Sequence, residues 1–174
     1  MKHRTYLAQL LAAGIGVTLP LLAMAQTEPI GYVKTVSGEA WVSSAGQRVR
    51  AEPGTPVLLG SQLKTQAQAS LGVTFKDNTV MSFGPDTELT VDEYLYAPAQ
   101  GQLKLGTSLL KGSLNYVSGV IARLKPDAVS VKTPTGIIGV RGTQFVAKVR
   151  HPDPSGNRYG TSFLKNHPIS SIYP

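Results

Sequence analysis

The stretch "SLGVTFKDNTVMSFG", residues 70 to 84, decides the fold class. Leu71, Val73 and Phe75 alternate with Ser70, Gly72 and Thr74, the period of two that sends successive side chains to opposite faces of a strand. Asp77 and Asn78 then interrupt the run. Both side chains can bond the local backbone, and asparagine tolerates the left-handed conformation that a tight turn needs. Val80, Met81 and Phe83 resume the apolar pattern on the way back. The pattern predicts a β-hairpin.

Working outward, the same grammar repeats. Toward the N-terminus, "RVRAEPGTPVLLGSQLKT" (48 to 65) carries turn signals at Pro53-Gly54 and Gly60. Before it, "GYVKTVSGEAWV" (31 to 42) reads as two short runs around Ser37-Gly38. Toward the C-terminus, Gly84-Pro85-Asp86 predicts a corner, and "ELTVDEYLY" (88 to 96) puts Leu89 and Val91 on one side. "APAQGQ" (97 to 102) reads as a surface loop, and residues 103 to 133 as further short strands. Within them, Gly119 to Lys125 fits a single helical turn or an irregular crossing. Strands every 8 to 12 residues or so with little helix predict an all-β domain: a compact sandwich, a barrel or a short solenoid. No repeat period singles out the solenoid.

"VKTPTGIIGVRGTQFVAKV", residues 131 to 149, poses the functional question. Its glycines suggest a phosphate loop, yet no Gly-x-x-x-x-Gly-Lys-Ser/Thr is present and "QFVAKV" is β-like, so no helix N-terminus follows to hold an anion. The stretch therefore reads as a sheet corner, with Gly139 and Gly142 at bulges or close approaches and Phe145, Ala147 and Val149 on one buried face. Arg141 stands among core candidates. An unpaired buried charge is costly, so it should pair with Asp77, Asp86 or Glu88, or serve to bind a partner or anion.

At the N-terminus, Lys2, His3 and Arg4 precede an apolar run from Leu7 to Leu22, and Ala23-Met24-Ala25 offers a small-x-small cleavage site before Gln26. Residues 1–25 thus read as a signal peptide, too short and too interrupted for a membrane span of roughly 20 apolar residues. Without Lys2 and Arg4, 15 basic residues stand against 10 acidic ones, a net charge of about +5. No cluster of five Lys or Arg occurs, which argues against nucleic acid. Cysteine is absent, which removes thiol nucleophiles, redox pairs and sulfur-liganded metals. His151 and His167 lie in a Pro-rich stretch, residues 150–174, that reads as a poorly ordered tail. With no core histidine, no GxSxG and no metal-ligand spacing, no catalytic, metal or cofactor residue can be assembled. Trp41, Tyr32 and Tyr116 read as cross-strand packing. Tyr94 and Tyr96, on one strand face beside the 97–102 loop, are candidate binding residues together with Arg141.

Set side by side, "VSGEAWV", "LLGSQLKTQAQASLGVTFKDNTVMSFGPDTELTVDEY" and "VKTPTGIIGVRGTQFVAKV" resemble the FecR domain family, named after the periplasmic part of the ferric-citrate signalling regulator. The resemblance covers roughly residues 31–149. Gly60, Leu63 and Thr65 match its element before the central hairpin, and Phe75, Asp77 and Asn78 its acidic turn. Phe83, Gly84, Asp86, Thr87, Leu89 and Val91 match the next element. Thr133, Pro134, Val140, Arg141, Gly142, Thr143, Phe145 and, less strictly, Ala147 match the last. The resemblance implies that these positions are architectural. The signalling regulators carry a cytoplasmic segment ahead of a membrane span; here only Met1 to Tyr6 precede the hydrophobic run. Relatives also commonly continue in further strands past the Arg-Gly-Thr element, so an open edge is expected at Lys148 and Val149. The expectation is an exported, periplasmic or secreted, non-enzymatic domain acting through a protein partner in the cell envelope. The alternative is a small-ligand or carbohydrate-binding module at Tyr94 and Tyr96.

Overall fold

The computed structural model describes residues 28–150 and 161–164. The strands run in the order β1 (Gly31–Ser37), β2 (Ala40–Ser44), β3 (Gln47–Arg50), β4 (Pro56–Val57), β5 (Gln62–Thr65), β6 (Ser70–Phe75), β7 (Val80–Phe83), β8 (Glu88–Ala97) and β9 (Gln102–Val117). A short helix, α1 (Val120–Leu124), precedes β10 (Val129–Thr133), β11 (Gly136–Gly139), β12 (Gln144–Val149) and β13 (Thr161–Leu164).

The central hairpin forms where alternation placed it. β6 and β7 pair antiparallel, Leu71 opposite Phe83 and Val73 opposite Met81, and Asn78 turns the chain at a φ of 64°. Leu71, Val73, Phe75, Met81 and Phe83 are all buried. Each such side chain contributes about 1.5–3 kcal/mol on burial, so this face is a principal anchor of the core.

After Gln102 the structure departs from the expected series of short strands: β9 is one strand of 16 residues. Its glycines do not end it, because Gly106 still pairs, at a bulge opposite Glu93, and Gly112 bends the strand at a φ of 91° without stopping it. β9 is the spine of the molecule. Along one edge lie β7 and β8 in line, with Phe83 opposite Leu114 and Glu88 opposite Lys111. Along the other lie β12 and β10, with Val149 opposite Gly112 and Val131 opposite Thr107. One wing, β3-β2-β5-β8 with β10-β11, is built on the first part of β9; the other, β4-β1-β6-β7 with β12-β13, on the second. The all-β expectation holds. The strands belong to one sheet curled into a half-barrel, in place of the stacked sheets of a sandwich or the coils of a solenoid. Val42, Leu63 and Leu89 from one wing share a single core with Val33, Val73 and Leu114 from the other.

β10 runs parallel to β9, and a parallel neighbour needs a crossover of about a dozen residues. Residues 118–128 supply it through α1 and a 3₁₀ turn at Pro126–Ala128, so the helical-turn reading of Gly119 to Lys125 was the correct one of the two. Beyond Val149, four residues of the expected tail form β13, which places Ser162 opposite Lys148. β12 therefore has a neighbour on each side, and the open edge expected at Lys148 and Val149 is closed. The expected signal peptide, His151, His167 and the rest of the expected tail lie outside the described residues. Among the described residues no helix is long and apolar enough to cross a membrane.

Candidate functional site

Most of the sequence-predicted site residues gather at two internal joints. The first holds the bend of β9. Thr65 Oγ1 donates to the Gly84 carbonyl at 2.6 Å and accepts from the Thr87 N–H at 2.9 Å. Thr87 Oγ1 in turn accepts from the Ser113 N–H at 3.0 Å and stands 2.9 Å from the Gly84 carbonyl. Gly112 packs directly on Thr87, where an added Cβ would overlap it. Leu63 is buried beside this joint, and Gly60 leads into it with its N–H on the Val91 carbonyl at 2.9 Å.

The second joint is built on Asp77, which is fully buried. Its carboxylate accepts from Thr79 Oγ1 at 2.7 Å and, at 3.3 Å each, from the Thr79 N–H, the Tyr94 hydroxyl and the Ile121 N–H. The Asp77 carbonyl accepts from the Val120 N–H at 2.7 Å. α1 has no side chain of its own as a cap, so a residue of the hairpin turn satisfies the free N–H groups at its start. Ser118, between β9 and the start of α1, ties down the last motif: its hydroxyl donates to the Gly142 carbonyl at 2.6 Å and its N–H to the Thr143 carbonyl at 2.8 Å. Phe145 stacks on Tyr116 with ring centroids 5.0 Å apart.

The tyrosines share this interior. Tyr94 stacks on Phe75 at 5.7 Å and accepts from the Asp77 N–H at 3.0 Å, so its ring is not an open platform beside the 97–102 loop. Tyr96 also packs against the core, half-buried. Burial, then the charge of Asp77, raises the pKa of Tyr94. Burial pushes Tyr116 up to about 12. Its hydroxyl has no well-formed hydrogen bond, although Thr79 and Ser118 stand near it.

Arg141 departs from expectation. It pairs with Asp127 at 3.3 Å, with both side chains about four-fifths exposed, and not with Asp77, Asp86 or Glu88. The reason is local. Val140 is the residue that turns inward, its N–H on the Val129 carbonyl at 3.3 Å, and its neighbour must point out. Gly139 and Gly142 are not close approaches either, since nothing stands within 4 Å of where a Cβ would be. Gly142 is set by its φ of 131°. Thr133 donates to the Gly136 carbonyl at 2.9 Å and, with Pro134, borders an open groove of about 270 Å³ completed by Ser108, Leu109, Leu110 and Lys132.

The edges of the sheet complete the surface. β3 presents Arg48 and Arg50, and β4 is two residues long and begins with proline. β11 is Gly-Ile-Ile-Gly, carries no charge and, among the described residues, pairs only with β10; Ile137 is 71% exposed. The register sets Ile137 opposite Lys132 and Lys132 opposite Ser108, so Ile137, the groove and exposed Leu110 lie on one sheet face. The sequence reading passed over this edge, although an uncharged glycine-flanked isoleucine pair was its visible signal. No group of three or more His, Cys, Asp or Glu stands together among the described residues.

A family model described as FecR protein matches residues 61–157, more than half of the chain. It takes in both joints, the groove and β11, and it reaches past Val149. No curated protein and no solved structure matches the chain.

Proposed function

This chain belongs to the FecR protein family, and from that premise we propose that it is an exported, non-enzymatic domain of the cell envelope that adds an extended segment of a partner protein to its sheet at β11. The apolar run from Leu7 to Leu22 with Ala23-Met24-Ala25 behind it supports export to the periplasm or beyond. The titratable groups that do converge, Asp77, Tyr94 and Tyr116, are packed inside and occupied with structure, which supports a role without turnover. The observation that carries the reading is the contrast between edges. Unpaired edge backbone recruits another strand unless charge, proline or brevity prevents it. β3 and β4 have those guards; β11 and β13 do not, and of these two it is β11 that adjoins the apolar groove on β10 and β9. Backbone bonds would supply affinity, and the apolar face from Ile137 to Leu110 would select the side chains of the added strand.

The test is site-specific photocrosslinking in intact cells, with the reactive side chain at position 137 and, as control, at position 48. A discrete adduct with one other protein at position 137 and none at 48 is expected. No adduct at 137, equal labelling at both positions, or an adduct only with a second copy of this chain would count against the reading.

A further inference from the structure

A second surface feature sits where β12 meets the bend of β9. A concavity of about 450 Å³ is lined by Lys111, Lys148 and Arg150, with Pro85, Gly112 and one acid, Asp86. Lys148 and Arg150 flank buried Val149 and so project on the same, outer face. The register pairs Val149 with Gly112 and Lys148 with Ser113. The ladder ends there, and Arg150, one residue past it, lines the same concavity as Lys111 and Lys148. Like charges gathered in one place repel.

The carboxylate that ought to relieve them is engaged elsewhere. Glu88 lies opposite Lys111 in the β8–β9 register, yet its two oxygens meet Lys64 at 3.5 Å and Gln62 at 2.9 Å. Among the described residues, Lys111, Lys148, Arg150 and Asp86 form no ion pair. Three cations against one carboxylate leave the concavity two charges in excess. The floor beneath is the Thr87–Gly112 joint, held by hydrogen bonds, so the cations are mounted on a rigid support.

We propose that this concavity binds a phosphate-bearing ligand, a phosphomonoester on a small organic skeleton. A phosphomonoester carries about −1.5 to −2 charges at neutral pH and three strong acceptor oxygens, which suits an excess of two charges. One guanidinium fork and two ammonium groups are suitable donors for it. The volume falls within the roughly 300–1,000 Å³ of small-molecule sites and exceeds what a bare oxyanion fills. The site is independent of β11 and of any partner there.

The test is an amide-resolved NMR titration of the ¹⁵N-labelled protein with glucose 1-phosphate at low salt, with glucose as the uncharged control. Saturable shifts at Lys111, Gly112, Lys148 and Arg150 are expected, with at least a tenfold weaker Kd in K111Q/R150Q. Lys34 and Lys104 are exposed and lie outside the concavity, so K34Q/K104Q, which removes the same two charges, is the charge-matched control and should bind as the parent does. A second arm offers phosphatidic acid vesicles against phosphatidylcholine vesicles. Retention by phosphatidic acid alone, lost in K111Q/R150Q, would support the site and assign its phosphate to a lipid headgroup. The proposal is overturned if neither probe binds saturably, if K111Q/R150Q binds like the parent, or if glucose shifts the same amides equally. Unperturbed signals elsewhere in the variant spectra confirm that the fold is intact.

Discussion

Asp77 accepts from four donors through its carboxylate and makes no ion pair among the described residues. Asp77→Ala would leave the Thr79, Tyr94 and Ile121 groups buried without their acceptor. At about 1–3 kcal/mol for each unsatisfied buried group, with some relaxation, a loss of about 3–5 kcal/mol is expected. Asp77→Asn keeps one acceptor oxygen and should lose less. Urea denaturation checks both, with lower midpoints at unchanged slope. Tyr116 makes the opposite prediction at neutral pH. Its hydroxyl is buried without a well-formed bond, so Tyr116→Phe should be close to neutral or stabilising at pH 7. Alkali separates the two proteins further. The folded pKa of Tyr116 is raised from 10.0 to about 12, so the folded state holds the proton more tightly than the unfolded one. Stability is therefore fully present below pH 10 and falls as pH rises through that window, by roughly 3 kcal/mol for a shift of this size. Tyr94 shifts in the same direction. Denaturation at pH 8 and 11.5 should show Tyr116→Phe gaining on the parent at the higher pH; parallel losses would contradict this.

Among the elements, the β6–β7 hairpin was legible because its alternation and its turn residues agree, and short-range chemistry alone determines both. β9 was not. Gly106 and Gly112 read as breaks in the sequence, and only tertiary contact shows that Gly106 sits at a bulge and Gly112 at a bend. Asp77 likewise read as a turn residue, because nothing local indicates that Val120 and Ile121, more than 40 positions on, will need its oxygens. Two of the positive-φ glycines, Gly112 and Gly142, give a paired test. Gly112→Ala meets both an unfavourable φ of 91° and the Thr87 backbone, so it should lower stability by about 4 kcal/mol or more. Gly142→Ala faces an unfavourable φ of 131° but open space, and should lose only about 1–2 kcal/mol. Thermal melts of the two variants check the ranking; equal losses would mean that the overlap at Thr87 is relieved by a small backbone shift.

For the whole molecule, the all-β class was readable and the closure of the sheet was not, since curling depends on which strand edges meet. The candidate site divides in the same way. Thr65, Asp77 and Gly84 could be singled out from sequence, whereas the bare β11 edge and the Lys111–Lys148–Arg150 concavity arise only from register. The stretch past Val149 shows what this means for integrity. Its prolines and scattered polar residues conceal Thr161–Leu164, which covers the outer edge of β12. A chain cut after Arg150 would expose that edge as a row of unpaired N–H and C=O groups, a template for another strand. The truncated protein is expected to unfold at lower urea and to associate more strongly than the full chain with rising concentration in sedimentation velocity. A synthetic peptide of residues 158–167, added in excess, should occupy the vacated position, raise the urea midpoint and suppress the association. If the truncated chain is as stable and as monomeric as the parent, or if the peptide has no effect on either property, β13 does not act as the cover of β12.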